Sequence, residues 1–172
     1  MYTTTVTGPP RSAEPSPPPT PDRPAAAAAQ YTRWGWPVTV TGTRLLLSTG
    51  TKVSAVELAA ELAGEVQHFL PVRLLGGPVV ALPSTPHRWL LLADSAEETP
   101  QRSIDRLHGR GAITHRSGAL VPLPPSQLAC GAATWKAPPA LAGPWLPPFT
   151  AIAAAVRTLT SAIEGRSAHQ TR

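Results

Sequence analysis

Val53-Ser54-Ala55-Val56-Glu57-Leu58-Ala59-Ala60-Glu61-Leu62-Ala63-Gly64-Glu65-Val66-Gln67-His68-Phe69-Leu70 is the stretch on which the fold turns. Val53, Val56, Ala60, Ala63, Val66 and Leu70 recur three and four residues apart, the period of an amphipathic helix. A short strand, Val53 to Leu58, followed by a helix is the competing reading. Either way the element ends at Pro71, because the residue before a proline is driven out of the helical region. The choice matters for the acids: Glu57 and Glu61 share a face, at i and i+4, only if the whole stretch is helical.

Downstream, Val72 to Leu75, Val79 to Leu82 and Trp89 to Leu92 are short apolar runs, bounded by Gly76-Gly77-Pro78 and Pro83-Ser84-Thr85-Pro86. Runs of that length with such borders predict buried strands. Gly76-Gly77 reads as a tight turn. Pro100 to His108 predicts a helix with Ile104 and Leu107 inward. Ala112 to Thr114 and Ala119 to Leu123 predict a hairpin about Arg116-Ser117-Gly118, stopped by Pro124-Pro125. Phe149, Ile152, Val156, Leu159 and Ile163 mark a last amphipathic helix, opened by Pro147-Pro148 and ending near Gly165. Residues 166–172 are expected to fray.

Upstream, five consecutive alanines from Ala25 predict a helix through Tyr31 that stops at Trp34-Gly35. Trp36 to Val40 and Arg44 to Ser48 read as extended segments. Residues 1–24 form a Pro-rich tail with too few apolar side chains to offset the entropy of ordering, and disorder is expected there. Strands mingled with helices over 25–165 predict one α+β domain: a small mixed or antiparallel sheet covered by helices.

Eight of the 22 prolines precede Ala25, so the globular part is shorter than the 172 residues suggest. Hydrophobic residues make up 42% and charged residues 15%, enough for one core. The single cysteine, Cys130, excludes an internal disulfide and a thiolate zinc cluster, and fits a reducing cytoplasm. Met1 to Gly8 is polar rather than a secretory core, and no apolar run approaches a membrane span, so a soluble cytoplasmic chain without membrane association is expected. A net charge of +5 and a pI near 10.3 permit an anionic partner. The basic residues nevertheless contain no run of three, so a polybasic tail is excluded.

No Gly-Lys-Ser/Thr phosphate loop, Gly-x-Gly-x-x-Gly, His-Glu-x-x-His or Gly-x-Ser-x-Gly occurs. His68, His87, His108, His115 and His169 lack metal-ligand spacing. Two segments do carry a likeness. Ala25 to Val40 joins an alanine-rich helix to Trp34-Gly35-Trp36-Pro37-Val38. Later, Ser117-Gly118-Ala119-Leu120-Val121-Pro122-Leu123-Pro124-Pro125-Ser126 precedes Trp135. In this order they resemble the N-terminal domain of bifunctional DNA primase/polymerases, related to the archaeo-eukaryotic primases, over roughly two thirds of the chain.

The resemblance implies a nucleotidyl-transfer core, with a sheet joining Val38, Val80 and Val121. It also implies two carboxylates on one strand and a third on a later strand, together holding two divalent metals. Hard Mg²⁺ or Mn²⁺ needs oxygen ligands beside a triphosphate. In this sequence Glu57 matches the first carboxylate, Ala59 stands at the second, and the third falls near Ile113. Glu61 is the substitute ligand if the segment is helical. Pro83-Ser84-Thr85-Pro86-His87-Arg88-Trp89 resembles the nucleotide-gripping turn, which makes Ser84, His87 and Arg88 the nucleotide-binding candidates, although Thr85 and Pro86 replace its glycines.

Three functions follow. The first is a primase-polymerase-like domain that associates with DNA or nucleotide and has lost transfer chemistry. The second is an active Mg²⁺- or Mn²⁺-dependent enzyme completed by Asp94 or Asp105, with a partner protein such as a helicase. The third is a cytoplasmic protein-interaction module with no nucleic-acid role.

Overall fold

The computed structural model describes residues 23–139 and 145–170, with the side chains of 73 and 163–170 left aside. The expectations for residues 1–22, and for the inward face of Ile163, lie outside that range. Helix α1, Arg23–Arg33, begins two residues earlier than the alanine run. Pro24 fits its first turn and is buried, so it belongs to the fold rather than to the tail. Strands β1, Val38–Thr41, and β2, Arg44–Ser48, form a hairpin.

The deciding stretch divides. Ser54–Ala59 is a strand, β3, and Ala60–Phe69 a helix, α2. Period two wins locally because residues on both sides of the strand are buried: Ala55 points to one core and Val56 and Leu58 to another. Strands β4, Val79–Leu82, and β5, Arg88–Ala93, follow, then α3, Gln101–His108, and β6, Ile113–His115. Strand β7 is Leu120–Leu123, β8 and β9 are the two-residue Gln127–Leu128 and Gly131–Ala132, and β10 is Thr134–Ala137. Helix α4, Phe149–Gln170, closes the chain and continues past Gly165.

Two sheets result, beside the short β8–β9 ribbon. One has the order β10-β4-β5-β3-β6 and the other β1-β2-β7, and every pairing is antiparallel. Within the larger sheet, β3-α2-β4-β5-α3-β6 is a β-α-β-β-α-β unit with strand order 4-1-3-2, the ferredoxin-like arrangement. The α+β class with antiparallel sheets is therefore as expected, but its details need correcting. Val38 and Val121 share the small sheet while Val80 lies in the large one, so no single sheet joins the three. Likewise β6 and β7 are not a hairpin: β6 pairs with β3 and β7 with β2.

The layers explain the continuous apolar runs. Val56, Leu58, Val79, Leu91 and Ala93 face a core shared with Ala63, Val66, Ile104, Leu107, Phe149 and Ile152 of the helices. Ala55, Val80, Leu90 and Leu92 face a second core with Tyr31, Trp36, Leu45, Leu47, Val121 and Leu123. A strand buried on both sides needs apolar residues at every position. Val72 to Leu75 looked similar but is not a strand. Pro71–Arg73 is a 3-10 turn, Leu74 is left-handed at φ 59°, and Val72 and Leu74 are 82% and 89% exposed. Gly76-Gly77 is no tight turn either: Pro147 packs where a Cβ on Gly77 would sit. Among the described residues no helix is long and apolar enough to cross a membrane.

Candidate functional site

Side chains of opposed residues in an antiparallel pair lie on the same face, and long ones reach the diagonal neighbour. Glu57 is opposite Leu90 of β5 and Ile113 of β6. Arg88 is opposite Ala59, and His115 is opposite Ala55. Residues 55, 57, 59, 88, 113 and 115 therefore share the face turned toward the small sheet. That sheet covers Ala55, Leu90 and Leu92 and leaves Glu57, at the margin, partly exposed.

At this margin three side chains form one polar group. Arg88 Nε donates to Glu57 Oε1 at 2.5 Å, and His115 Nε2 lies 3.0 Å from Glu57 Oε2. A carboxylate only accepts, so His115 carries its proton on Nε2. Arg88 Nη2 also donates to the backbone oxygens of Glu57 and Gly111. The Glu57 side chain is 13% exposed. The hydrogen bond from His115 and the adjacent Arg88 hold its carboxyl below the ordinary range, against the opposing effect of burial.

The candidate residues divide accordingly. Glu57 and Arg88 meet. Ser84 and His87 sit in the turn between β4 and β5, where Ser84 Oγ donates to Pro86 O and His87 O accepts from Ala60 N. His87 is exposed. Glu61 does not join Glu57: it is exposed on α2, which covers the opposite face of the sheet, so the helical i and i+4 pairing is not formed. Asp94 lies at the far end of β5 and accepts from Phe149 N at the start of α4, and Asp105 accepts from Gln101 on α3. Neither acid reaches Glu57.

The residues present do not fit a pair of divalent cations. Both oxygens of Glu57 are taken by nitrogen donors, and Arg88 sets a positive charge where a cation would stand. No group of three His, Cys, Asp or Glu side chains able to hold a metal exists among the described residues. The arrangement can fix an imidazole against a carboxylate and present a guanidinium and a ring at a sheet margin.

His115 was missed in the sequence because histidine spacing was judged along the chain. The available signal was alternation: a β6 that sets Ile113 beside Glu57 sets His115 on the same face two residues on. No protein-family model, no curated protein and no solved structure matches the chain.

Proposed function

We propose that this chain is a primase-polymerase-like domain that associates with DNA or nucleotide and no longer transfers nucleotides. One observation carries the reading. Positions 57, 59 and 113, where the resemblance puts two carboxylates on one strand and a third on a later one, are neighbours on a single face of β3 and β6. They hold Glu, Ala and Ile. The turn that resembles the nucleotide-gripping motif leads directly into Arg88, at the edge of the same patch. The support is this local pattern. The division into two sheets argues against a likeness running through the whole chain.

A lone glutamate already bonded to arginine and histidine does not supply the oxygen ligands that two-metal phosphoryl chemistry requires. Anion binding needs no such ligands. The net positive charge supports it, together with His87 exposed in the turn before Arg88.

Titration calorimetry at moderate salt with a nucleoside triphosphate, single-stranded DNA and primer-template DNA tests the association, and no heat with any of them overturns it. Primer extension with Mn²⁺ tests the loss of chemistry. Product would overturn that part, and product that survives Glu57→Ala would move the site elsewhere. The exposed Val72 and Leu74 favour one second reading, a protein-interaction module. Capture of a partner unaffected by nuclease and salt would support it, since phosphate-driven binding weakens steeply with salt.

A further inference from the structure

His115 is held by one ring nitrogen and open at the other. Its Nε2 donates to Glu57 Oε2 at 3.0 Å, which leaves Nδ1 as the lone-pair side of a neutral imidazole. The carboxylate fixes the tautomer and the ring orientation, and it stabilises the imidazolium that forms when Nδ1 takes a proton. Arg88 is engaged in the same partial way. Its Nε bonds Glu57 and its Nη2 bonds the backbone oxygens of Glu57 and Gly111, while Nη1 bonds nothing among the described residues. Within those residues no buried side-chain nitrogen lacks a partner. His115 Nδ1 and Arg88 Nη1, which have none there, therefore reach solvent, in side chains that are each 21% exposed. Ile113, opposite Glu57 on the same face, is 47% exposed. An open base and an open donor thus flank one carboxylate, beside a small apolar surface.

We propose that this margin cleaves single-stranded RNA by metal-independent transesterification, with His115 as the base. Both Glu57 oxygens face nitrogen donors, which does not suit two-metal phosphoryl transfer. RNA carries its own nucleophile, a ribose 2′-hydroxyl beside each phosphate, and a base is enough to activate it. The 2′-oxygen bonds to the phosphorus and the bond from phosphorus to the 5′-oxygen breaks. The 2′-hydroxyl proton passes to His115 Nδ1, the departing 5′-oxygen takes a proton from water, and the hydroxide left behind recovers one from the imidazolium. Before the reaction Glu57 and Arg88 cancel in charge and His115 is neutral. Proton transfer makes the group positive as the phosphate oxygens gather negative charge, and Arg88 Nη1 is the donor placed to meet them. Ile113 offers an apolar face to an unstacked base, and bases can be splayed out only in unpaired strands. The net charge of +5 draws a polyanion. Such cleavage goes beyond association and needs only the Glu57 margin, not the turn before Arg88.

A 5′-labelled single-stranded oligoribonucleotide incubated with the full chain in excess chelator tests it. Fragments ending in a 2′,3′-cyclic phosphate are expected, and none from the same sequence as DNA or as 2′-O-methyl RNA. His115→Gln should slow cleavage at least about a hundredfold, the lower end of what a positioned base contributes. Glu57→Gln should slow it at least about tenfold, since an amide no longer fixes the tautomer or stabilises the imidazolium. Arg33→Ala, at an exposed position on α1, should stay within about twofold, as a distant exposed charge is largely screened. Melting curves establish that the variants fold; if His115→Gln does not, His115→Asn replaces it under the same expectation, and the end groups left by the wild-type chain need no variant. No cleavage, cleavage that survives the His115 change, equal cutting of the DNA or methylated strand, or 3′-hydroxyl ends would overturn the proposal. RNA binding without cleavage would also overturn it, and would leave the association with DNA or nucleotide standing. Cleavage lost with His115, in a chain that gives no heat with DNA or nucleotide, would do the reverse.

Discussion

Arg88 and Glu57 meet diagonally across β5 and β3, Nε to Oε1 at 2.5 Å, and His115 closes on the other carboxylate oxygen from β6 at 3.0 Å. One side chain thus ties three adjacent strands together at the partly covered margin of the large sheet. The carboxyl titrates below its ordinary range, chiefly through the His115 hydrogen bond and with help from Arg88. A depressed folded value means the unfolded chain takes up the proton first, near pH 4.3. The stabilisation is therefore complete above that pH and is lost as pH falls through the lower folded value. Glu57→Gln should cost about 1–3 kcal/mol at pH 7. Its denaturation midpoint should also fall less steeply than wild type between about pH 5 and pH 3. Parallel urea curves for the two proteins over that range would contradict the pairing.

Ser126 follows Pro124-Pro125 in the segment that carries the resemblance, and the structure gives it a mechanical role. Its hydroxyl accepts from Leu45 N and donates to Leu45 O, both at 2.8 Å, and the side chain is fully buried. Ser126→Ala leaves a backbone donor and acceptor of β2 without that partner in the core. A loss of about 1–3 kcal/mol is expected in chemical denaturation. A loss under about 0.5 kcal/mol would place the variant among ordinary surface changes and show that the clasp is dispensable.

Much of the architecture was legible, and the failures have definite causes. Both-face burial made Val79 to Leu82 and Trp89 to Leu92 readable as strands, and the 3-4 spacing of Phe149, Ile152 and Val156 fixed the final helix. Val53 to Leu70 stayed ambiguous because Ser54–Ala59, buried on both faces, shows no clean alternation, while the helical spacing of Val53, Val56, Ala60 and Ala63 runs across the join. The Val72 to Leu75 run misled because Val72 and Leu74 remain in solvent. At the site, Glu57 was named from a local motif. Its partners lie 31 and 58 positions away, and only strand register, which local pattern does not encode, brings them together.

Gly77 shows how a glycine can serve close packing without a positive φ. A Cβ added there would lie 2.3 Å from Pro147 Cδ and 2.8 Å from its Cγ. The Pro147 ring cannot swing aside, and its carbonyl accepts from Asp94 N while Asp94 Oδ1 accepts from Phe149 N. Gly77→Ala should therefore push the start of α4 off the sheet and cost about 1–3 kcal/mol. In an ordinary exposed loop the same change would be neutral or stabilising. Thermal melts decide between these, and an unchanged or raised midpoint would mean that the approach of Pro147 is not required.

If positions 57, 59 and 113 are the remains of a metal site, then restoring carboxylates should restore cation binding. The register sets Ile113 opposite Glu57, with Ala59 two residues along β3 on the same face, and Arg88 facing Ala59. Adding acids alone would only lengthen the ion-pair group, because Arg88 would neutralise whatever stands at 59. The triple change Ala59→Asp, Arg88→Ser and Ile113→Asp removes that cation and presents three carboxylates to one point. Such a set should hold Mn²⁺ with a Kd of about 10⁻³ M or tighter, as weak oxygen-ligand sites do for divalent ions. The wild-type chain should leave free Mn²⁺ unchanged. The six-line spectrum of aqueous Mn²⁺ reads this directly, by its loss on titrating in the variant. A folded variant that leaves the spectrum intact would mean that these three positions do not converge, and the lineage argued from them would fall.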